Sequence, residues 1–251
     1  MRLVVHDDPA AASIAAAGAA ATRLREVLGS NERARLVAAT GSSQLRFLAA
    51  LLAEPELDWA RVELFHLDEY VGLGEDHPAS FARYMRERLV EPTGIGVAHL
   101  IDGTADPATE VAAVGAALAT APTDLLFLGV GENGHLAFND PPADVITDDP
   151  YLIVDLDERC RSQQVGEGWF AAVDDVPSRA ISMSMRQILR AEEIIGVVTD
   201  ERKADAVAAC FAGEISPMLP ASYLRTHGAA TIFLDRDAVS RLDPAVLDHY
   251  R

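Results

Sequence analysis

Short apolar runs alternate with stretches of helical spacing along most of the chain, and this alternation constrains the fold more than any other feature. The runs 35–39, 62–67, 99–101, 124–128, 180–185, 194–198 and 231–234 read as strands. Asp8-Pro9 opens a helix on which Ile14, Ala17, Ala21, Leu24 and Leu28 recur at helical spacing, with Gly29 closing it. Further helices are expected over Leu45, Leu48 and Leu52, over 81–89, from a second Asp-Pro start at Asp106 to 119, and over 202–211. Strands and helices in this order imply an α/β fold, a doubly wound, largely parallel, Rossmann-like sheet flanked by helices and joined by right-handed crossovers. The run at 124–128 is the most apolar and belongs at the centre of that sheet. No repeat, linker or low-complexity tail interrupts the pattern, so residues 1–251 are expected to form a single domain. The irregular span 141–177, rich in Asp and Pro, reads as a lid or a small excursion.

Charge narrows the function classes. A formal net charge of −18 argues against a nucleic-acid surface or an anionic membrane. Asp7 and Asp8 precede the Ala-rich opening, and alanine is weakly apolar, so a secretory leader is not expected there. Cys160 and Cys210 show no paired spacing, which fits a reduced, cytoplasmic setting. Of the 21 basic residues only Lys203 is lysine. A surface tolerates either residue, but a site that needs a compact point charge does not.

Ligands of an open α/β sheet bind outside the carboxyl ends of the strands, and four polar clusters fall there. Thr40, Gly41, Ser42 and Ser43 join a strand to a helix and could cradle an anion with hydroxyls and free amides, although simple N-capping by serine accounts for the same tetrapeptide. In HLDEY, residues 66–70, alternation puts His66 and Asp68 on one face; burial and Glu69 would raise the Asp68 pKa toward that of a general base. His66, Asp68 and His77 give no firm spacing for a metal, and none is expected. In GVGENGHLAFNDP, residues 129–141, Gly129, Gly131 and Gly134 permit close backbone approach to a ligand. His135 can pass a proton near neutrality, Asp140 can orient it, and Asn133 can hydrogen bond without carrying charge. Lys203 is the fourth cluster by itself, at the start of the helix after strand 194–198.

LDEYVGLGEDHPAS and GVGENGHLAFNDP, with PASYLRTH as a weaker third string, resemble the glucosamine-6-phosphate deaminase (isomerase) family, within a wider group that includes 6-phosphogluconolactonases. The resemblance spans roughly 36–234. It implies that Thr40, Gly41, Ser42, Ser43 and Lys203 hold a sugar phosphate, with Glu69 and Gly131 also at the substrate. It implies that His135 opens the pyranose ring and that Asp68 moves a proton between C2 and C1, with Asn133 and Asp140 completing the catalytic set. Amine release then gives a ketose phosphate and ammonia, and no cofactor is required. The substrate implied is glucosamine 6-phosphate or a close relative such as galactosamine 6-phosphate.

The chain departs from the family at named positions. The best-known members carry aspartate where Asn133 stands and glutamate where Asp140 stands. Their lid arginine has no counterpart near 165–169, Arg159 and Arg161 being the nearest candidates, and the allosteric segment after Asp140 is missing. A lactonase using His135 as base, or a sugar-phosphate sensor that has lost ring opening, are the alternatives. Expected partners are a small-molecule sugar phosphate, with no nucleic acid and no membrane; a homo-oligomer stays open.

Overall fold

The computed structural model describes residues 1–166 and 168–250. The most apolar run is its central strand. In chain order the strands of the main sheet are β1 (Arg2–His6), β2 (Ala34–Ala38), β3 (Val62–His66), β5 (Val97–His99), β6 (Leu125–Leu128), β9 (Glu193–Val198) and β10 (Ala230–Asp235). Their spatial order is β1-β10-β9-β6-β2-β3-β5, every neighbouring pair is parallel, and β6 is fourth of seven. A parallel strand covered on both faces must be apolar throughout, and β2, β6 and β10 are buried at every residue.

Several strands depart from the sequence expectation, β4 (Asp68–Tyr70) and the earlier-starting β5 among them. β8 (Arg179–Met183) does not join the parallel sheet; it pairs antiparallel with β4 (Asp68–Tyr70) and β7 (Tyr151–Asp155) in a separate three-stranded sheet. β7 lies inside the span expected to be irregular, because only its alternating burial, and no long apolar run, distinguishes it from its Asp-rich flanks. β1 carries little strand signal because, as an edge strand of mixed polarity, only its Leu3 is fully buried.

Helices cover both faces. α1 (Pro9–Ser30) starts at an Asp8 cap that accepts the Ala11 N–H at 2.8 Å, and it runs through Gly29 to Ser30 rather than stopping at the glycine. Its buried stripe is built from Ala12, Ala16, Ala17, Ala20, Ala21 and Leu24, small side chains that let the helix lie close to the sheet; Ile14 faces outward. α2 (Ser42–Leu52) packs beside α1 through Phe47, Leu48 and Leu51, with Leu45 on the exposed side. On the same side, α3 (Phe81–Met85) continues through a π turn, Arg86–Val90, into α4 (Glu91–Thr93). The opposite face is covered by α5 (Pro107–Leu118), by α7 (Met185–Ile188) and α8 (Ala204–Ala212), and by β7 and β8. α6 (Glu158–Gly166) lies outside the sheet, and α9 (Pro244–His249) ends the described chain with its own Asp-Pro start. No helix among the described residues is long and apolar enough to cross a membrane.

One buried cation ties the amino ends of the strands together. The Arg35 guanidinium pairs with Glu63 at 3.1 Å, donates to the Ala117, Leu118 and Ala121 carbonyls at the end of α5, and lies over the Phe65 ring. The Asp124 carboxylate takes the Arg35 N–H at 2.7 Å, so β2, β3, α5 and β6 are fixed at one end. At the other end the winding reverses. From β2 the chain moves out to β3 and β5, and from β6 it moves the opposite way to β9 and β10. A crevice opens outside the carboxyl ends of β2 and β6.

Candidate active site

The crevice is a cleft with about 740 Å³ of atom-free space, open solvent at its mouth included. Its floor and walls are Thr40 to Ser43 after β2, Asp68 after β3, Gly129 to Gly131 and His135 after β6, and Thr199 and Lys203 after β9. Gln163 and Gln164 of α6, with Trp169, form the outer wall. Four strands thus deliver the four sequence clusters to one place.

The turn after β2 answers the question of capping. Gly41 is itself the N-cap of α2, at φ 109° and ψ 168°, and no side chain caps the helix. A residue with a Cβ is strained at that φ, so glycine is what allows the chain to swing into the helix here. Ser42 and Ser43 are the first residues of α2 and line the cleft, beside amides of the helix start. Tyr84 backs the turn, its hydroxyl 3.4 Å from the Gly41 carbonyl and its ring edge-on to Trp169.

The loop after β6 is wound around His135. The His135 N–H donates to the Asn133 side-chain oxygen at 3.0 Å, and the Asn133 amide donates to Asp140 Oδ1 at 2.9 Å. The same Asp140 oxygen lies 3.1 Å from His135 Nδ1, a close contact off the aligned hydrogen-bond direction. Burial pushes the Asp140 carboxyl up, but the nearby His135 ring, Asn133 and the Cys160 thiol outweigh it and bring it down to about 2. With Nδ1 turned to Asp140, Nε2 is the nitrogen left for a ligand. Gly131 has a specific reason to be glycine: a Cβ there would sit 2.4 Å from His135 Cε1 and Nε2. The far end of the loop turns at Ala137, φ 53°, and buried Asn139 anchors it by donating to the Leu136 and Met183 carbonyls, each at 2.8 Å. Glu132 points elsewhere, 3.9 Å from Arg202, and does not line the cleft.

Asp68 opens β4 and is, among the described residues, the one acidic side chain lining the cleft. Its carboxyl is pushed up to about 8, first by burial and then by the neighbouring Glu69 charge. That range suits a group that must both take and return a proton near neutrality.

Two expectations need correction. Glu69 does not face the cleft. Fully buried, it accepts from Tyr70 N–H at 2.8 Å, Ser80 Oγ at 2.8 Å and Ala82 N–H at 2.7 Å, tying β4 to the start of α3. Successive strand residues point to opposite sides, so delivering Asp68 to the cleft sends Glu69 inward. His66 shares no site with Asp68 either, because β3 ends between them. Its Nε2 accepts the Ile101 N–H at 2.8 Å, and burial lowers its pKa to about 3. His77 accepts the Ala79 N–H and stacks on Phe170. Among the described residues no group of three or more His, Cys, Asp or Glu side chains is arranged to hold a metal ion.

Asn133 and Asp140 stand behind His135 rather than on the cleft wall, whereas Thr40, Gly41, Ser42, Ser43, Asp68, Gly131, His135 and Lys203 all line it. Arg159 and Arg161 do not reach it; Arg161 instead contacts the Val173 carbonyl at 3.4 Å. Thr199, Gln163, Gln164 and Trp169 were not anticipated. Thr199 had a usable signal, since it directly follows a strand, but the α6 residues had none beyond lying in the candidate lid span. A link from the roof to the interior is the Tyr70 hydroxyl, which donates to Gln164 Oε1 at 2.8 Å from within a cluster with Phe81, Phe138 and Phe170.

The family model described as glucosamine-6-phosphate isomerases/6-phosphogluconolactonase matches residues 7–233. A curated glucosamine-6-phosphate deaminase of Streptococcus pneumoniae (strain Hungary19A-6) is 38% identical over 206 residues, covering 82% of this chain and 86% of its own length. The solved structure of a monomeric glucosamine-6-phosphate deaminase superposes with a TM-score of 0.87 at 29% identity, over 96% of this chain and 100% of that one. The 6-phosphogluconolactonase of Thermotoga maritima shares the fold, with a TM-score of 0.77 at 18% identity over 93% of this chain and 99% of its own. By sequence and by fold, the chain belongs to the glucosamine-6-phosphate isomerase/6-phosphogluconolactonase family.

Proposed function

We propose that the cleft is the active site of an amino-sugar-phosphate deaminase that converts glucosamine 6-phosphate, or its galactosamine counterpart, and water into the ketose 6-phosphate and ammonia. One observation carries this reading: a hydroxyl-rich helix start, the chain's sole lysine, a carboxyl near neutrality and a carboxylate-backed imidazole line one cleft.

The phosphate is held by the amides and hydroxyls of Ser42 and Ser43, with Thr40, Gly41 and Lys203 around it. His135 opens the ring through Nε2, giving a proton to O5 as O1 loses one, while Asp140 holds the imidazole in place. Asp68 takes the proton from C2 of the open chain and returns it at C1, passing through an enolamine. Water adds at C2 and ammonia leaves. Hydrogen moves only as a proton, and each positioned transfer supplies about 10²–10⁴-fold. A lactone hydrolase would use His135 but would have no task for Asp68. The reaction fits a cytoplasmic protein acting as one unit over 1–251.

Incubation with glucosamine 6-phosphate, galactosamine 6-phosphate and 6-phosphogluconolactone, read as ammonia, ketose and acid release, tests the proposal. Ammonia and ketose in equal amounts are the expected result. Acid from the lactone alone, or binding without turnover, refutes it.

A further inference from the structure

Asp200 lies between β9 and Lys203 with φ 91° and ψ 142°. Glycine occupies that region freely, whereas a residue with a Cβ enters it only when its surroundings compel it. Asp235, the last residue of β10, supplies the compulsion. Its carboxylate, on a residue only 1% exposed, accepts the Asp200 N–H through both oxygens, at 3.2 and 3.1 Å, and the Ala238 N–H at 2.8 Å. The bend at Asp200 then sets the turn that follows. Its side chain accepts the Arg202 N–H at 3.0 Å, and its carbonyl accepts the Lys203 N–H at 3.0 Å. Thr199 before the bend and Lys203 after it both line the cleft.

We propose that Asp235 is a positioning residue for the phosphate end of the site: its buried carboxylate fixes the turn at Asp200 and thereby holds Thr199 and Lys203 against the bound phosphate. The inference rests on the reading of Lys203 as a phosphate ligand. A buried carboxylate shared by amides of two segments is a short, charge-assisted tie. Without it, Asp200 relaxes to an ordinary φ and the peptide planes on either side rotate, moving Thr199 and Lys203 together. Asp68 and His135 come from other strands and stay where they are, so the loss falls on binding and not on the chemical step.

The test compares wild-type protein with Asp235→Ala, Asp235→Asn and Lys203→Ala. Glucosamine 6-phosphate kinetics give KM and kcat, calorimetric titration with inorganic phosphate gives a readout independent of turnover, and circular dichroism checks each fold. Asp235→Ala is expected to raise KM and the phosphate Kd about tenfold, with kcat within about twofold. Asp235→Asn keeps an acceptor oxygen and is expected to recover most of the loss, leaving a rise of about two- to threefold. An unchanged KM in folded Asp235→Ala, beside a raised KM in Lys203→Ala, overturns the inference and leaves the functional reading intact. An unchanged KM in Lys203→Ala overturns that reading itself. A fall in kcat alone marks a structural role and also overturns the inference. Should Asp235→Ala fail to fold, Asp235→Asn decides, and a wild-type phosphate Kd there overturns the proposal.

Discussion

Replacing Asp68 by asparagine is expected to abolish turnover and, at the same time, to stabilise the protein. Burial and Glu69 raise the Asp68 carboxyl from 3.8 to about 8. At ~1.4 kcal/mol per tenfold change in proton affinity, ionising it in the folded protein costs on the order of 5 kcal/mol. The sign follows from the two states. Below pH 3.8 the group is protonated both folded and unfolded and makes no difference. Between 3.8 and about 8 the unfolded chain releases a proton that the folded protein keeps, so stability is lost as pH rises through this window. Asparagine cannot ionise and escapes the loss. Urea unfolding at pH 5, 6, 7 and 8 should show the variant gaining on wild type by up to ~1.4 kcal/mol per pH unit, levelling off above about 8. The same ionisation makes Asp68 competent as a base, so wild-type kcat/KM should climb as pH rises toward about 8 and level off above it. A stability difference that is flat with pH would refute the desolvation account, and residual full turnover would remove Asp68 from the mechanism.

Gly131→Ala tests how tightly the imidazole is seated. The new Cβ would lie 2.4 Å from His135 Nε2, so the ring must shift by about 1 Å, and kcat should fall ~10²-fold with folding intact by circular dichroism; a fall under threefold would show a tolerant seat. Arg35→Ala addresses the opposite end of the sheet. It strips Glu63 of its buried partner and takes the guanidinium donor away from the Ala117, Leu118 and Ala121 carbonyls, so urea unfolding should show a loss of about 3–5 kcal/mol. Because the strands' carboxyl ends are untouched, KM should not move, and a change there would show that this network reaches the cleft.

Much of the site was legible because parallel sheets place ligands by rule. Once 35–39, 62–67, 124–128 and 194–198 were strands, the residues just beyond them were site candidates, and Ser42, Asp68, His135 and Lys203 do share the cleft. What the rule does not supply is rotation about a strand. Glu69 carries the same chemistry as Asp68 one position away, yet β4 turns it onto Ser80 and Ala82, and only the pairing of β4 with β8 fixes which carboxyl faces outward. Contributions from outside the sheet were equally hidden. Gln163, Gln164 and Trp169 reach the cleft because β7 pairs with β8 and carries α6 over it, and β7 itself is a strand only by virtue of that partner. The serine-capping alternative failed for a local reason: the glycine before the serines takes the cap position with a positive φ that serine would not adopt cheaply.

Asn133 and Asp140 are best understood as a matched pair, and Asn133→Asp tests the match. The Asn133 side chain works in two directions, its oxygen on the His135 N–H at 3.0 Å and its amide on Asp140 Oδ1 at 2.9 Å. An aspartate can keep the first bond but turns the second into a carboxylate facing a carboxylate, and two such groups in contact cannot both stay ionised without cost. Wild-type Asp140, held down to about 2, adds stability that is present above 3.8 and is lost only as pH falls through about 2. In Asn133→Asp the pair must share a proton near neutrality. Urea unfolding should then show a deficit of roughly 1–3 kcal/mol at pH 7 that shrinks toward pH 3.5, where the added carboxyl takes up its proton in the unfolded chain as well. Turnover should drop along with it, since the carboxyl behind His135 no longer holds a full negative charge, and it should recover partly as pH rises. An Asn133→Asp protein as stable and as active as wild type between pH 5 and 7 would show that the two positions vary independently.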